Sequence, residues 1–80
     1  MTIQKIDGKL SKRETLRRMY QRYREGGAAT YCVSYLARRL GLSESRTRHY
    51  VRWMNQRSMI RADVYGRQVI FGAGYFGSAI

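Results

Sequence analysis

The 80-residue sequence holds one cysteine, one histidine, five acidic residues and no proline. A lone Cys32 excludes an internal disulfide, and one Cys with one His cannot assemble a zinc cluster. The acids Asp7, Glu14, Glu25, Glu44 and Asp63 are scattered along the chain. No two of them stand at a spacing that makes an acid–base pair, and no nucleophile has a base assigned to it. No glycine-rich phosphate loop leads from a strand into a helix. Enzymatic activity, a metal, a cofactor and a small-molecule ligand are therefore not expected. No apolar run approaches the ~20 residues needed to span a bilayer. The opening MTIQKIDGK has no apolar core of signal-peptide length. The expectation is a cytoplasmic protein with no membrane partner. Low-complexity tracts and internal repeats are also missing.

What is abundant is positive charge. Sixteen Lys and Arg face the five acids, for a formal net charge of +11, and thirteen of the sixteen are Arg. Such an excess repels itself in the folded state, so a polyanionic partner is expected. Arginine's planar fork suits phosphate oxygens and guanine edges, which puts nucleic acid first. An anionic membrane surface and an acidic protein are the other polyanions. Hydrophobic residues make up 44% of the chain and aromatics 12%. That is enough for one domain with one modest core.

The coarse organisation is an arm over residues 1–10, a domain over 11–71 and a glycine-rich tail or extra strand over 72–80. Ser11 and Glu14 form a capping-box pattern. It opens a helix from Lys12 to about Glu25, with Leu16, Met19, Tyr20 and Tyr23 as its apolar stripe. Gly26-Gly27 ends it. Arg13, Arg17, Arg18 and Arg22 are either a second phosphate patch or a solvated face. Ala28 to Tyr31 is long enough for one or two strand pairs. Val33, Leu36, Ala37 and Leu40 mark a second helix from about Cys32 to Leu40, and Cys32 reads as a small buried hydrophobe.

Gly41 stops that helix, and Ser43 caps a third after a link of about three residues. So short a link forces the sharp angle of a helix-turn-helix. On the third helix Thr47, Tyr50, Val51 and Met54 share one face. Ser45, His49, Arg52 and Gln56 lie opposite, with Arg46 and Arg48 beside them. Residues 59–64 and 66–71 read as a β-hairpin around Tyr65-Gly66-Arg67. Its second strand, Gln68 to Phe71, is expected to be covered on both sides. Arg61, Arg67 and Gln68 are placed near the tip or on the exposed side. Trp53 packs under the hairpin or stacks on a sugar or base.

The run VSYLARRLGLSESRTRHYVRWMNQRSMI, residues 33–60, resembles the winged-helix transcription regulators of bacteria and their phages. The resemblance rests on an apolar helix ending in Leu-Gly-Leu-Ser and on the spacing of Thr47, Val51 and Met54. It implies an α+β fold with a three-helix helix-turn-helix core followed by a β-hairpin wing. It departs from the family at Ser58, where glycine is usual, and at Thr47, where an aliphatic residue is usual.

The resemblance implies that the third helix enters the major groove of double-stranded DNA. Ser45, Arg46, Arg48, His49, Arg52 and Gln56 would face the groove. Ser43, Arg38 and Arg39 would hold phosphates, and Arg61, Arg67 and Gln68 would contact DNA from the wing. The expected function is a small sequence-specific transcriptional regulator, binding as a homodimer through the tail or the first helix's tyrosines. One alternative is an architectural, recombination (excisionase-like) or replication accessory. The other is a basic winged-helix adaptor that binds protein or RNA.

Overall fold

In a computed structural model, residues 11–73 are described. The arm over 1–10 and all but the first two residues of the tail lie outside them. The elements are α1 (Lys12–Arg24), β1 (Thr30–Cys32), α2 (Val33–Leu40), α3 (Glu44–Gln56), β2 (Ala62–Tyr65) and β3 (Gln68–Phe71). The fold is α+β, with three helices and a three-stranded antiparallel sheet of order β1-β3-β2. No helix among the described residues is long and apolar enough to cross a membrane.

Two helices begin with the same local chemistry. At α1 the Ser11 hydroxyl accepts from the Glu14 N–H at 3.1 Å, and the Thr15 hydroxyl donates to the Ser11 carbonyl at 3.0 Å. At α3 the Ser43 hydroxyl accepts from the Arg46 N–H at 3.1 Å, and the Thr47 hydroxyl donates to the Ser43 carbonyl at 2.8 Å. Each serine satisfies a backbone donor that the helix leaves free. Each threonine is buried with its hydroxyl already bonded, so its methyl can pack without leaving a polar atom unsatisfied. That accounts for Thr47 in an otherwise apolar row. The Glu14 carboxylate pairs with Arg18 at 3.2 Å.

All three helices end alike. After α1 the Gly27 N–H bonds Arg22 O and the Gly26 N–H bonds Tyr23 O. After α2 Leu42 bonds Ala37 and Gly41 bonds Arg38. After α3 Met59 bonds Met54 and Ser58 bonds Asn55. This paired closure needs a left-handed residue at the penultimate position. Gly26 (φ 104°) and Gly41 (φ 69°) supply it for the first two ends, and Ser58 (φ 59°) for the third. The departure at Ser58 therefore neither lengthens nor redirects α3. A serine holds the strained conformation because two backbone hydrogen bonds and the burial of Ile60 beyond it require the turn.

The core lies between the helices and one face of the sheet. Leu16 of α1, Val33, Leu36 and Leu40 of α2, and Val51 and Met54 of α3 meet Ile60, Ala62, Val64, Val69 and Phe71. Phe71 is the aromatic hub, with the rings of Tyr20, Tyr23 and Tyr31 centred 5.7–6.2 Å away.

Four expectations need correction. β3 is covered on one face only: Val69 and Phe71 are buried, Ile70 half-buried and Gln68 exposed. The sheet carries helices on a single side, so its pattern is alternation. The hairpin strands are shorter than the apolar runs suggested, because residues 59–61 form the exit from α3. β1 ends at Cys32 rather than Tyr31 and forms three pairs with β3. Cys32 itself is exposed, since it sits in that strand with its side chain on the sheet's outer face.

Replacing Ser58 by Gly should stabilise the fold. It relieves the left-handed penalty of about 1–2 kcal/mol, less the greater freedom glycine gives the unfolded chain. A net gain of roughly 0.5–1 kcal/mol should raise the thermal midpoint by several degrees. A lower midpoint for Ser58→Gly would contradict this account of the α3 terminus.

Candidate nucleic-acid interface

α3 is amphipathic, and its two faces face different tasks. Thr47, Val51 and Met54 are fully buried against the core. At 100° per residue the opposite side must carry Ser45, His49, Arg52 and Gln56, and all four are exposed. They form a continuous polar ridge over three helical turns. Its neighbours differ on the two sides.

On one flank, Arg46, Tyr50 and Trp53 meet Leu42 and Lys12 in an open groove about 660 Å³ in volume. The floor is apolar and the rim is cationic. Tyr50 and Trp53 stack with centroids 5.6 Å apart, and the Arg57 guanidinium lies 5.0 Å over the indole. Trp53 therefore packs on the side of α1, and the expectation that it lies under the hairpin is corrected. Its position 200° around the helix from Asn55 explains this, because Asn55 accepts from the Ala62 N–H of β2.

On the other flank, Arg48 faces the hairpin turn. Arg48, Arg67 and Gln68 line one groove with Ser34, Cys32 and Glu44. The turn is held there by the Val33 N–H, which donates to the Arg67 carbonyl at 2.8 Å. The start of α2, which has no side-chain cap, opens onto the same groove. Such a helix start attracts anions through its free N–H groups and its dipole.

The acids next to this surface are few. Arg48 approaches Glu44 at 3.7 Å and Arg52 approaches Asp63 at 3.7 Å. Both pairs are substantially exposed, which makes each worth little to stability. Ser43 uses its oxygen as an acceptor for the helix cap, which leaves its hydroxyl proton free to donate. Arg38 lies in the groove between α2 and the start of α3, beside Glu44 and Leu42. Arg39 turns away from it, bonding the Tyr35 hydroxyl at 3.0 Å and stacking 5.7 Å over its ring. Arg61 is exposed but stands at the open end of the hairpin, beside Tyr20, Tyr23 and Arg24 of α1. The structure thus gathers Ser43, Ser45, Arg46, Arg48, His49, Arg52, Gln56, Arg38, Arg67 and Gln68 around α3. It sets Arg39 and Arg61 apart.

Lys12 and Ser34 belong to this surface and were missed from sequence. Each lies in the first turn of a helix read for its apolar stripe, and no local signal says which neighbour lies beside it. α1 also carries more cations than α3. Lys12, Arg13, Arg17, Arg18, Arg22 and Arg24 stand against Glu14, compared with Arg46, Arg48 and Arg52 against Glu44.

Compared with protein-family models, curated proteins and solved structures, the chain matches none.

If this surface meets an anion, Asp63 competes with it for Arg52. Asp63→Asn should raise affinity for duplex DNA several-fold at low salt. It should change stability by less than about 1 kcal/mol, because Asn keeps an oxygen for the Val64 N–H. Affinity measured by fluorescence anisotropy that is unchanged or lower in this variant would remove Arg52 from the contact.

Proposed function

We propose that the chain is a winged-helix protein that binds double-stranded DNA with α3 in the major groove and acts as a small transcriptional regulator. The observation that carries the reading is the exposed ridge of Ser45, His49, Arg52 and Gln56, edged by cations on both sides. A helix about 10–12 Å across fits a groove about 12 Å wide. Arg52 suits the two acceptors of guanine, and Gln56 suits adenine. Each good bidentate pair discriminates by about 1–3 kcal/mol. Arg48, Arg67 and Gln68 would hold the backbone on the hairpin side, and Lys12 and Arg46 on the other. The Ser43 hydroxyl would donate to a phosphate at the helix start. These backbone contacts orient α3 and carry affinity without sequence information.

A second reading, an architectural or recombination accessory on DNA, is favoured by one observation. The densest cations lie on α1 and not on the reading ridge. Such charge grips phosphates without regard to sequence. An adaptor for RNA fits less well, because the narrow major groove of an A-form helix does not admit α3.

Titration onto duplex DNA from upstream of its own gene and onto a scrambled duplex, at several salt concentrations, separates these readings. A regulator should prefer the native duplex and lose affinity as salt rises. Arg52→Gln should reduce the preference, and Arg67→Gln should weaken both duplexes alike and lower the salt slope by about one. Equal binding of both duplexes with DNA bending would favour the architectural reading. Absence of binding at low salt would end both, since a charge of +11 should secure at least non-specific binding.

A further inference from the structure

The two edges of the sheet are finished differently. In the β2–β3 register, Ala62 and Val64 turn their N–H groups away from β3. Both are covered by side chains. Asn55 Oδ1 accepts from Ala62 at 3.1 Å, and Asp63 Oδ1 accepts from Val64 at 2.7 Å. An edge capped this way cannot template a further strand.

β1 has no such cover. Its bonds to β3 run through Ala29 and Val33, to Phe71 and Arg67 respectively. Antiparallel alternation then turns the backbone of Thr30 and the N–H of Cys32 outward. Among the described residues, no hydrogen bond from another segment reaches them on that side. The edge also lies in the stretch from Gly26 to Ala37, twelve consecutive residues without a charge, in a chain where charged residues are 26%. Beside it Tyr35, 41% exposed, stacks on Tyr31 at 5.8 Å.

We propose that β1 pairs antiparallel with β1 of a second copy, about a two-fold axis at Tyr31, to make one six-stranded sheet. Thr30 of each copy then stands opposite Cys32 of the other, and the Cys32 N–H of each donates to the Thr30 carbonyl of the other, the Cys32 carbonyl being used by the first turn of α2. Such an interface is self-complementary, as a two-fold dimer requires. Charge selects the occupant. Two copies at +11 repel wherever their arginines meet, and β1 itself carries no charge, with Arg39 beside it on the ring of Tyr35.

A three-residue edge with Tyr35 beside it buries far less than the ~800 Å² per partner of a standard interface. Free association is therefore weak. It strengthens when two copies sit side by side on one duplex, where the effective concentration reaches about the millimolar range. That last step alone rests on the DNA-binding reading.

Cys32 is the chain's only cysteine and is exposed, so it reports the pairing directly. In the proposed register the two Cys32 residues are diagonal neighbours on one face, about 7–8 Å apart. That is too far for an unstrained disulfide but within reach of a short bis-maleimide. The experiment is cross-linking of the full chain without DNA, at rising concentration, beside Thr30→Pro. The Thr30 N–H is not used by β3, so proline blocks the outer edge and leaves the sheet's own ladder intact.

The wild type should give a dimer that grows with concentration. Thr30→Pro should reduce it at least tenfold, with an unchanged thermal midpoint and unchanged affinity for a single-site duplex. If the proline variant does not fold, Thr30→Lys replaces it, because it sets like charges across the pair. Absence of a wild-type dimer at about 1 mM, or equal cross-linking of wild type and variants, overturns the proposal. So does slow hydrogen exchange at the Thr30 and Cys32 amides in the monomer, which would mean that the chain's own residues cover the edge. Because DNA is absent from the cross-linking, failure of the DNA-binding reading leaves this test standing.

Discussion

The burial of Val51 and Met54 between α2 and β2 is the interaction on which the rest of the structure depends. Both side chains are fully buried, and the row they form with Thr47 fixes the rotation of α3 about its own axis. Once that rotation is set, the directions of Ser45, His49, Arg52 and Gln56 follow from helix geometry alone. Core and candidate site are two sides of one 13-residue helix. A cavity at Met54 would cost a few kcal/mol, and it would also loosen the aim of the polar ridge. The three-residue link Gly41–Ser43 acts in the same direction. The α2 closure at Gly41 and the α3 cap at Ser43 abut, so little freedom remains between the two helices.

What could be read from sequence was what repeats or what punctuates. The apolar rows of all three helices, the serine caps and the glycine stops are local signals, and they located α1, α2 and α3 to within a residue or two. The hairpin was legible from its turn and its β-branched residues. β1 was only half legible because three residues are too few for a period, and its pairing with β3 is non-local. The two-sided burial expected for β3 failed at Ile70 and Gln68, since a short apolar run cannot say how many faces are covered. Ser58 was flagged as a break in pattern, but its left-handed conformation depends on bonds to Asn55 and Met54 that close only in the folded chain. For the candidate site, the ridge was legible from the wheel of α3. The flanks were not. Arg46 and Arg48 are two residues apart, yet one meets α1 and the other the hairpin turn. Arg61 and Arg67 belong to one hairpin and stand at its opposite ends.

The charge of the chain is arranged so that little is spent inside the fold. The acids Glu14, Glu44 and Asp63 each meet one arginine, at 3.2–3.7 Å and partly in water. Pairs of this kind contribute at most about 1 kcal/mol and are screened by salt. They can be exchanged for a phosphate at little cost, because the carboxylate left behind is solvated. A buried pair could not be traded so easily, since breaking it strands a charge. Three such exchangeable pairs, two of them on α3, are compatible with a surface whose arginines change partners on binding.

The two sheet edges show the same economy in a different interaction. β2 lies against α3, and its outward N–H groups are capped by Asn55 and Asp63. Asp63 is also the residue that meets Arg52. A partner strand added at β2 would therefore have to displace contacts of the candidate interface itself. β1 lies on the other side of β3, in the chain's uncharged stretch, with the backbone of Thr30 and the N–H of Cys32 open. Under the proposed reading, DNA contact and self-association use different edges of the sheet that meet at Cys32, which also lines the groove of Arg48 and Arg67. Both depend on the core row of α3, because its burial keeps β2 and β3 in place.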